Sequence, residues 1–273
     1  MSSILTNNSA MVALSTLNMV NRGLEETQNR VSSGLAIRSG KENAAYFAIS
    51  ETMKGDSGMY KAINEGMTAT KNSVATARLG AETVKDLAQD MVERIAFAQA
   101  DGIDIADVQS ELDALSSNMQ SAIDQATFNG DDLVGGAAAA QTVVTGITRA
   151  GGFAVTTISF NSVDLQAIQT ALSGIDLTTS TDLAADLVTA EGQLQAAITA
   201  ATSLGVTENT LEGQMEFLES LTDTLDSGVG SMVDADMEEE AARLQAYQVQ
   251  QQLATQSLSI ANQSPQNILS LFR

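Results

Sequence analysis

The residues of this chain that could do chemistry are almost all carboxylates. Five acids lie close together, Asp234, Asp236, Glu238, Glu239 and Glu240, and a second spaced set, "DGIDIADVQSE", occupies 101–111. Clustered acids can hold a cation, but the second set lacks the ligand order of a calcium loop. Both clusters read more plainly as helix starts, because Asp caps well and acids favour the positive end of a helix dipole. Histidine and cysteine are absent. That removes thiolate nucleophiles, disulfides, zinc sites built from those residues and the usual general base near neutral pH. Residues 136–180 offer only Asp164 and Asp176 as acids, so a hydrolase inserted there would lack its base. No catalytic, cofactor-binding or metal-binding residue is assigned. Met53, Met67, Met91, Met119, Met215 and Met232 recur at helical spacing, as packing residues do. The Ser and Thr of 142–181 read as ordinary strand and loop composition rather than as glycan acceptors.

The elements that carry these residues are read from apolar spacing. The row Tyr46, Ile49, Met53, Asp56, Tyr60, Ile63, Met67, Thr70, Val74, Ala77, Ala81, Val84, Ala88, Met91, Ile95, Ala98 departs from apolar character only at Asp56 and Thr70. Its steps of three and four predict a helix over 42–100, roughly 80 Å long at 1.5 Å per residue. After a turn at Asp101-Gly102 the row restarts at Ile105, predicting a second, antiparallel helix over 104–127 that "FNGDD" stops at 128–132. Residues 133–162 lose the helical period, and β-branched runs flanking "RAGG" predict a β-hairpin turning at Gly151 and Gly152. A short helix is expected near 163–172. A third long helix, capped by Thr181 or Asp182, is predicted over 182–227, with weak points at Gly205, Gly228 and Gly230. The fold class is therefore mainly α: an elongated helical rod of long antiparallel coiled-coil helices with a small β-hairpin region in the middle. Aromatics make up only 4% of the chain and Trp is absent, which suits helix seams better than a thick globular core.

Charge divides the chain differently. The net charge is −21, yet residues 1–80 carry 8 bases and 6 acids, and nothing between Arg243 and Arg273 is charged. The acidic middle repels DNA and anionic membranes. Both ends are helical by pattern. One row runs Ala10, Leu14, Leu17, Asn21, Leu24, Gln28, Val31, Leu35 and the other Leu244, Tyr247, Gln251, Ala254, Leu258, Ala261, Pro265, Ile268, Phe272, with Leu271 beside it. Each carries a second stripe, Leu5, Val12 and Met19 on one, Val249, Leu253 and Ile260 on the other. A helix apolar on two faces must be covered on two sides. The expected arrangement pairs the two ends and leaves stripes that invite neighbouring copies. Their polar faces are rich in Gln, Ser and Asn rather than Lys and Arg, which argues against lipid binding. No run of about 18 apolar residues predicts a membrane span, and the first residues lack the basic start and apolar core of a cleavable signal.

Three stretches carry a resemblance to a known family. "RVSSGLAIRSGKENAAYFAIS" at 30–50, "FNG" at 128–130 and "DADMEEEAARLQAYQVQQQLATQSLSIANQSPQNILSLFR" at 234–273 are similar to bacterial flagellins. The resemblance covers about residues 1–135 and 180–273. It implies a structural, non-enzymatic subunit of the extracellular flagellar filament, exported without a cleaved signal. It implies terminal helices 1–40 and 235–273 in an inner tube, 41–234 in an outer tube, and no large additional outer domain. The inner-tube packing residues would be Leu5, Val12, Leu14, Leu17, Met19, Leu24, Val31, Leu244, Tyr247, Leu253, Leu258, Ile260, Ile268, Leu271 and Phe272, with Arg30, Arg38 and Lys41 as candidates for contacts between subunits. Implied partners are many further copies, hook-associated junction and cap proteins, and the flagellar export apparatus with its chaperone; nucleic acid and membrane insertion are not implied. The alternative is a hook–filament junction protein of similar architecture. In some members a Toll-like receptor reads an arginine-bearing segment of the first long helix. At 88–100 of this chain Asp90 and Met91 stand where Gln and Arg are expected, so weak receptor signalling is expected.

Overall fold

A computed structural model describes the backbone of residues 7–271 and the side chains of residues 7–263. The elements are helices α1 (Asn8–Ser33), α2 (Ala44–Ala98) and α3 (Ile105–Gln125), strands β1 (Thr127–Phe128), β2 (Asp131–Asp132), β3 (Ala140–Thr148) and β4 (Ala154–Asn161), then helices α4 (Leu165–Ser173), α5 (Leu183–Val233) and α6 (Met237–Leu271). They fall into two compact units: Met1–Asp56 with Thr224–Arg273, and Ser57–Asp223.

The unit Ser57–Asp223 is held by a heptad seam. Two interleaved rows of α2, Met67-Val74-Ala81-Ala88-Ile95 and Ala77-Val84-Met91-Ala98, are buried along their whole length. On α5 every seventh residue from Ala190 to Leu218 (Ala197, Leu204, Leu211) is buried as well, and α3 contributes Val108, Leu112, Met119 and Ile123. A seven-residue repeat of this kind keeps one face turned to its partner over many turns. Ion pairs across it, Arg78 to Glu208 at 2.7 Å and Lys71 to Glu212 at 2.7 Å, show that α2 and α5 run antiparallel. Small residues set the closeness of approach: a Cβ on Gly80 would lie 2.4 Å from that of Ala126.

Helix starts follow capping acids, three of them within stretches read as caps from sequence and a fourth, Asp164, not read so. Asp104, Asp164, Asp182 and Asp236 each accept a backbone N–H of the turn they precede. The acid clusters at 101–111 and 234–240 are thus placed by caps. Among the described residues no group of three or more acids could hold a metal ion, and no helix is long and apolar enough to cross a membrane.

Two boundaries differ from the sequence reading. The hairpin begins at Ala140 rather than 133. Asn129 and Gly130, at φ 52 and 83, turn β1 into β2, as a two-residue Asn-Gly loop favours. Asp132 Oδ1 then accepts the N–H groups of Val134 and Gly135 and bends the chain away from strand geometry. Leu133 and Val134 are buried, and their carbonyls accept from Val163 and Leu165 instead of from a strand. The second difference is α5, which continues through Gly228 and Gly230 to Val233. Gly228 gives Met53 room, since a Cβ there would meet its terminal methyl at 2.8 Å. Gly228 thus serves packing rather than a break, and Gly230 leaves room for the Asp234 carboxylate. In the hairpin itself a bulge between Val144 and Gly146 turns out the Thr145 carbonyl, which accepts from Gln214 Nε2 at 3.3 Å, and Tyr60 Oη donates to the Ile147 carbonyl at 3.2 Å.

Two glycines of α2 separate backbone propensity from packing. Gly66 has open space around its missing Cβ, whereas Gly80 has Ala126. Gly66→Ala is expected to raise stability by about 0.5–1 kcal/mol. Gly80→Ala is expected to lower it, because overpacking of about 1–3 kcal/mol exceeds that gain. Thermal unfolding followed by circular dichroism reads both signs.

Candidate functional site at the paired terminal helices

Helices α1 and α6 pack antiparallel. Asn7 Nδ2 donates to the Ala261 carbonyl at 2.8 Å at one end, and Arg30 Nη1 meets Glu240 Oε1 at 3.3 Å near the other. The seam between them is a small-residue heptad, Ala13-Val20-Thr27 facing Tyr247-Ala254-Ala261, of which Val20, Thr27 and Ala254 are buried. Gly23 lets Tyr247 lie against the backbone of α1, for a Cβ there would sit 2.7 Å from the ring. Gln251 Nε2 donates to Asn21 Oδ1 at 2.8 Å, so two polar side chains of the seam satisfy each other.

The base of the pair is closed by backbone and charge. Gly34, at φ 72, caps α1 by donating to the Arg30 carbonyl. Ala36 N–H then donates to the Val233 carbonyl at 2.7 Å and Ala235 N–H to the Gly34 carbonyl at 2.8 Å. Glu240 is only 5% exposed. Its Oε1 accepts from Arg30 and, at 2.9 Å, from Arg243, while Oε2 is buried without a hydrogen-bond partner among the described residues. Nearby, the Arg38 backbone N–H donates to Glu42 Oε2 at 2.6 Å and its guanidinium to Oε1 at 3.2 Å. That backbone hydrogen bond, with a smaller contribution from the guanidinium, holds the Glu42 carboxyl below its usual range against the opposing effect of desolvation.

The residues singled out from sequence are placed as follows. Leu17, Leu24, Val31, Leu244, Tyr247 and Leu258 are half-buried between or beside the two helices. Val12, Leu14, Met19, Leu253 and Ile260 are exposed. Leu5 and Phe272 lie outside the described residues, as do the side chains of Ile268 and Leu271. On α6, Val249, Leu253 and Ile260 fall within about 40° of one another at 100° per residue, on the side away from Ala254. On α1, Val12 and Met19 form one flank of the exposed arc, seven residues apart. Arg30 is engaged by Glu240 and Arg38 by Glu42, whereas Lys41 is exposed and makes no ion pair among the described residues. The seam row read on α1 is rotated in the structure: Val20 and Thr27, not Asn21 and Gln28, are its buried members. The signal that identifies them is the seven-residue row of small residues starting at Ala13. Glu240, read only as part of a helix start, also anchors α1 through Arg30.

Two tests follow from this geometry. Arg30→Met leaves the buried Glu240 short of one donor and is expected to lower the opening energy of α1 and α6 by about 1–3 kcal/mol, read as faster amide hydrogen exchange. Arg38→Met breaks an exposed local pair and should change it by no more than about 0.5 kcal/mol. For Glu42 the folded carboxyl titrates below the unfolded one. The turn at 38–42 is therefore stabilised above about pH 4.3, and that contribution is lost as pH falls through the lower folded value. Melting curves taken between about pH 6 and pH 3 should show an acid-sensitive component that Glu42→Gln lacks.

Comparison with known proteins gives a consistent set of likenesses. The family description "Bacterial flagellin N-terminal helical region" matches residues 4–139, and "Bacterial flagellin C-terminal helical region" matches residues 187–272. A flagellin of Brucella melitensis biotype 1 is 37% identical over 281 residues, covering 100% of both chains. Flagellin C of Rhizobium meliloti strain 1021 is 32% identical over 320 residues, again with 100% of both chains covered. Flagellin FljK of Caulobacter vibrioides is 34% identical over 282 residues, covering 100% of this chain and 99% of its own.

Proposed function

The chain belongs to the bacterial flagellin family, and from that premise we propose that it is a structural subunit polymerising into the helical flagellar filament that drives motility. The observation that carries the reading is the outward apolar stripe of α6, Val249, Leu253 and Ile260, in a stretch without a charge between Arg243 and Arg273. Each such side chain contributes about 1.5–3 kcal/mol when fully buried. Many copies packed around an axis would bring like charges into close, partly desolvated register, which uncharged Gln, Ser and Asn avoid.

In this reading the chain performs no catalysis. Residues 1–40 with 235–273 form the inner tube and 41–234 the outer tube. Among the three basic candidates Lys41 is the one left for an acid of a neighbouring copy, while Arg30 and Arg38 hold acids of their own chain. The chain leaves the cell through the flagellar export apparatus, with a chaperone and without a cleaved signal, and assembles outside between junction and cap proteins. Receptor signalling is weak: Met91 is buried in the helix seam and the exposed neighbour is Asp90.

Purified chain under polymerising conditions should give smooth helical filaments by electron microscopy. Leu253→Asp with Ile260→Asp, or removal of 260–273, should leave helical content near that of the intact monomer and abolish filaments. Normal filaments from either variant would overturn the assignment of the α6 stripe. Cells reporting on the Toll-like receptor should respond weakly, and a strong response refutes that reading.

A further inference from the structure

Sulfur in this chain is entirely thioether, since there is no cysteine. Its distribution is uneven. Met67, Met91 and Met119 are sealed in the heptad seam, each at 1% exposure or less. Met11 and Met19 are 63% and 64% exposed on the outer arc of α1, and Met19 shares its flank with Val12. The most exposed sulfurs described thus lie on the surface that the filament reading buries. We propose that Met11 and Met19 are an oxidation-sensitive modification site that gates assembly: a peroxide-class oxidant converts them to sulfoxides in the free subunit, and the sulfoxide blocks polymerisation. The inference rests on the assembly reading above and adds its regulation.

The chemistry balances without a protein-bound group. A sulfur lone pair attacks one peroxide oxygen, the O–O bond breaks, and one oxygen is transferred while the other leaves as water. Sulfur loses two electrons and the peroxide gains them. A thioether, flexible and apolar, becomes a polar, chiral sulfoxide. On a face that must be desolvated against a neighbouring copy, that oxygen is a new acceptor without a donor. Reversal needs a sulfoxide reductase, which returns the thioether and water while a dithiol is oxidised to a disulfide. The folded subunit tolerates the change because the exposed thioethers carry none of its core. Selectivity follows from access: the same oxidant reaches Met11 and Met19 directly but reaches Met91 or Met119 only after the seam opens.

The test treats monomer with limiting hydrogen peroxide, maps oxygen addition by peptide mass spectrometry, and measures the critical concentration for polymerisation. Met11 and Met19 should oxidise before Met67, Met91 and Met119, with helical content unchanged, and the critical concentration should rise at least about tenfold. Met11→Leu with Met19→Leu, close in volume to the original pair, should show the same critical concentration before and after peroxide, whatever its untreated value. Met237→Leu, replacing another exposed methionine, should stay peroxide-sensitive. In filaments formed first, Met11 and Met19 should oxidise more slowly than in monomer. The inference is overturned if the oxidised chain polymerises normally, if the double Leu variant is as peroxide-sensitive as wild type, or if both residues react equally fast in filament and monomer. Failure of the untreated chain to form filaments at all would sink the assembly reading itself.

Discussion

A helix that is apolar on two sides cannot be satisfied by one neighbour, and both terminal helices of this chain are built that way. The buried members of the α1–α6 seam are small, Val20, Thr27 and Ala254, with Leu17, Leu24, Val31, Leu244, Tyr247 and Leu258 half-buried around them. The larger side chains, Val12, Leu14, Met11 and Met19 on one helix and Val249, Leu253 and Ile260 on the other, remain in water. A fold that ends as a monomer places more of its large apolar groups inside, because burial energy scales with area. Large apolar groups left on the outside make that surface sticky, while the fully buried part of the seam stays thin. That thinness keeps the pair modest in stability, since Ala and Thr bury little area.

Closing that thin seam is made harder by chain length. Asn7 and Ala261 are 254 positions apart, and closing a loop of that size from an unfolded chain costs about 5 kcal/mol. The unit Ser57–Asp223 is packed more deeply. Its α2 and α5 run antiparallel, locked by a deep heptad seam and by Arg78–Glu208. The two units therefore have different characters. One has Met67, Leu112, Leu204 and Leu211 fully enclosed. Among the described residues the other buries Val20, Thr27, Ser50, Val229, Val233, Glu240 and Ala254.

Much of this was legible in the chain, and where it was not the reason is physical. Long heptad rows on α2 and α5 identify themselves because the apolar spacing repeats over many turns with few interruptions. The caps Asp104, Asp182 and Asp236 are local hydrogen-bond problems, which adjacent residues solve. The rotation of α1 was not legible, because a helix with stripes on two faces offers two equally apolar choices and small residues on a third side. Nor was the start of the hairpin, decided by the Asp132 carboxylate, or the continuation of α5 through Gly228, decided by Met53, 175 positions earlier in the numbering. Pairing of Arg30 with Glu240 spans 210 positions and leaves no periodic trace.

The polar members of the thin seam complete the argument. Asn21 and Gln251 interrupt otherwise apolar rows, and a pair of apolar side chains there would bury more area. Their hydrogen bond at 2.8 Å forms only when α1 and α6 are in one register, and a shift by a turn breaks it. Glu240 acts in the same sense at the base, since any slip that separates it from Arg30 leaves a carboxylate that is nine-tenths buried with fewer donors. Small apolar residues would let the two helices slide, and these two contacts forbid it. Register matters more here than depth of burial, because every outward stripe that a neighbouring copy must meet is positioned by the register of this one pair.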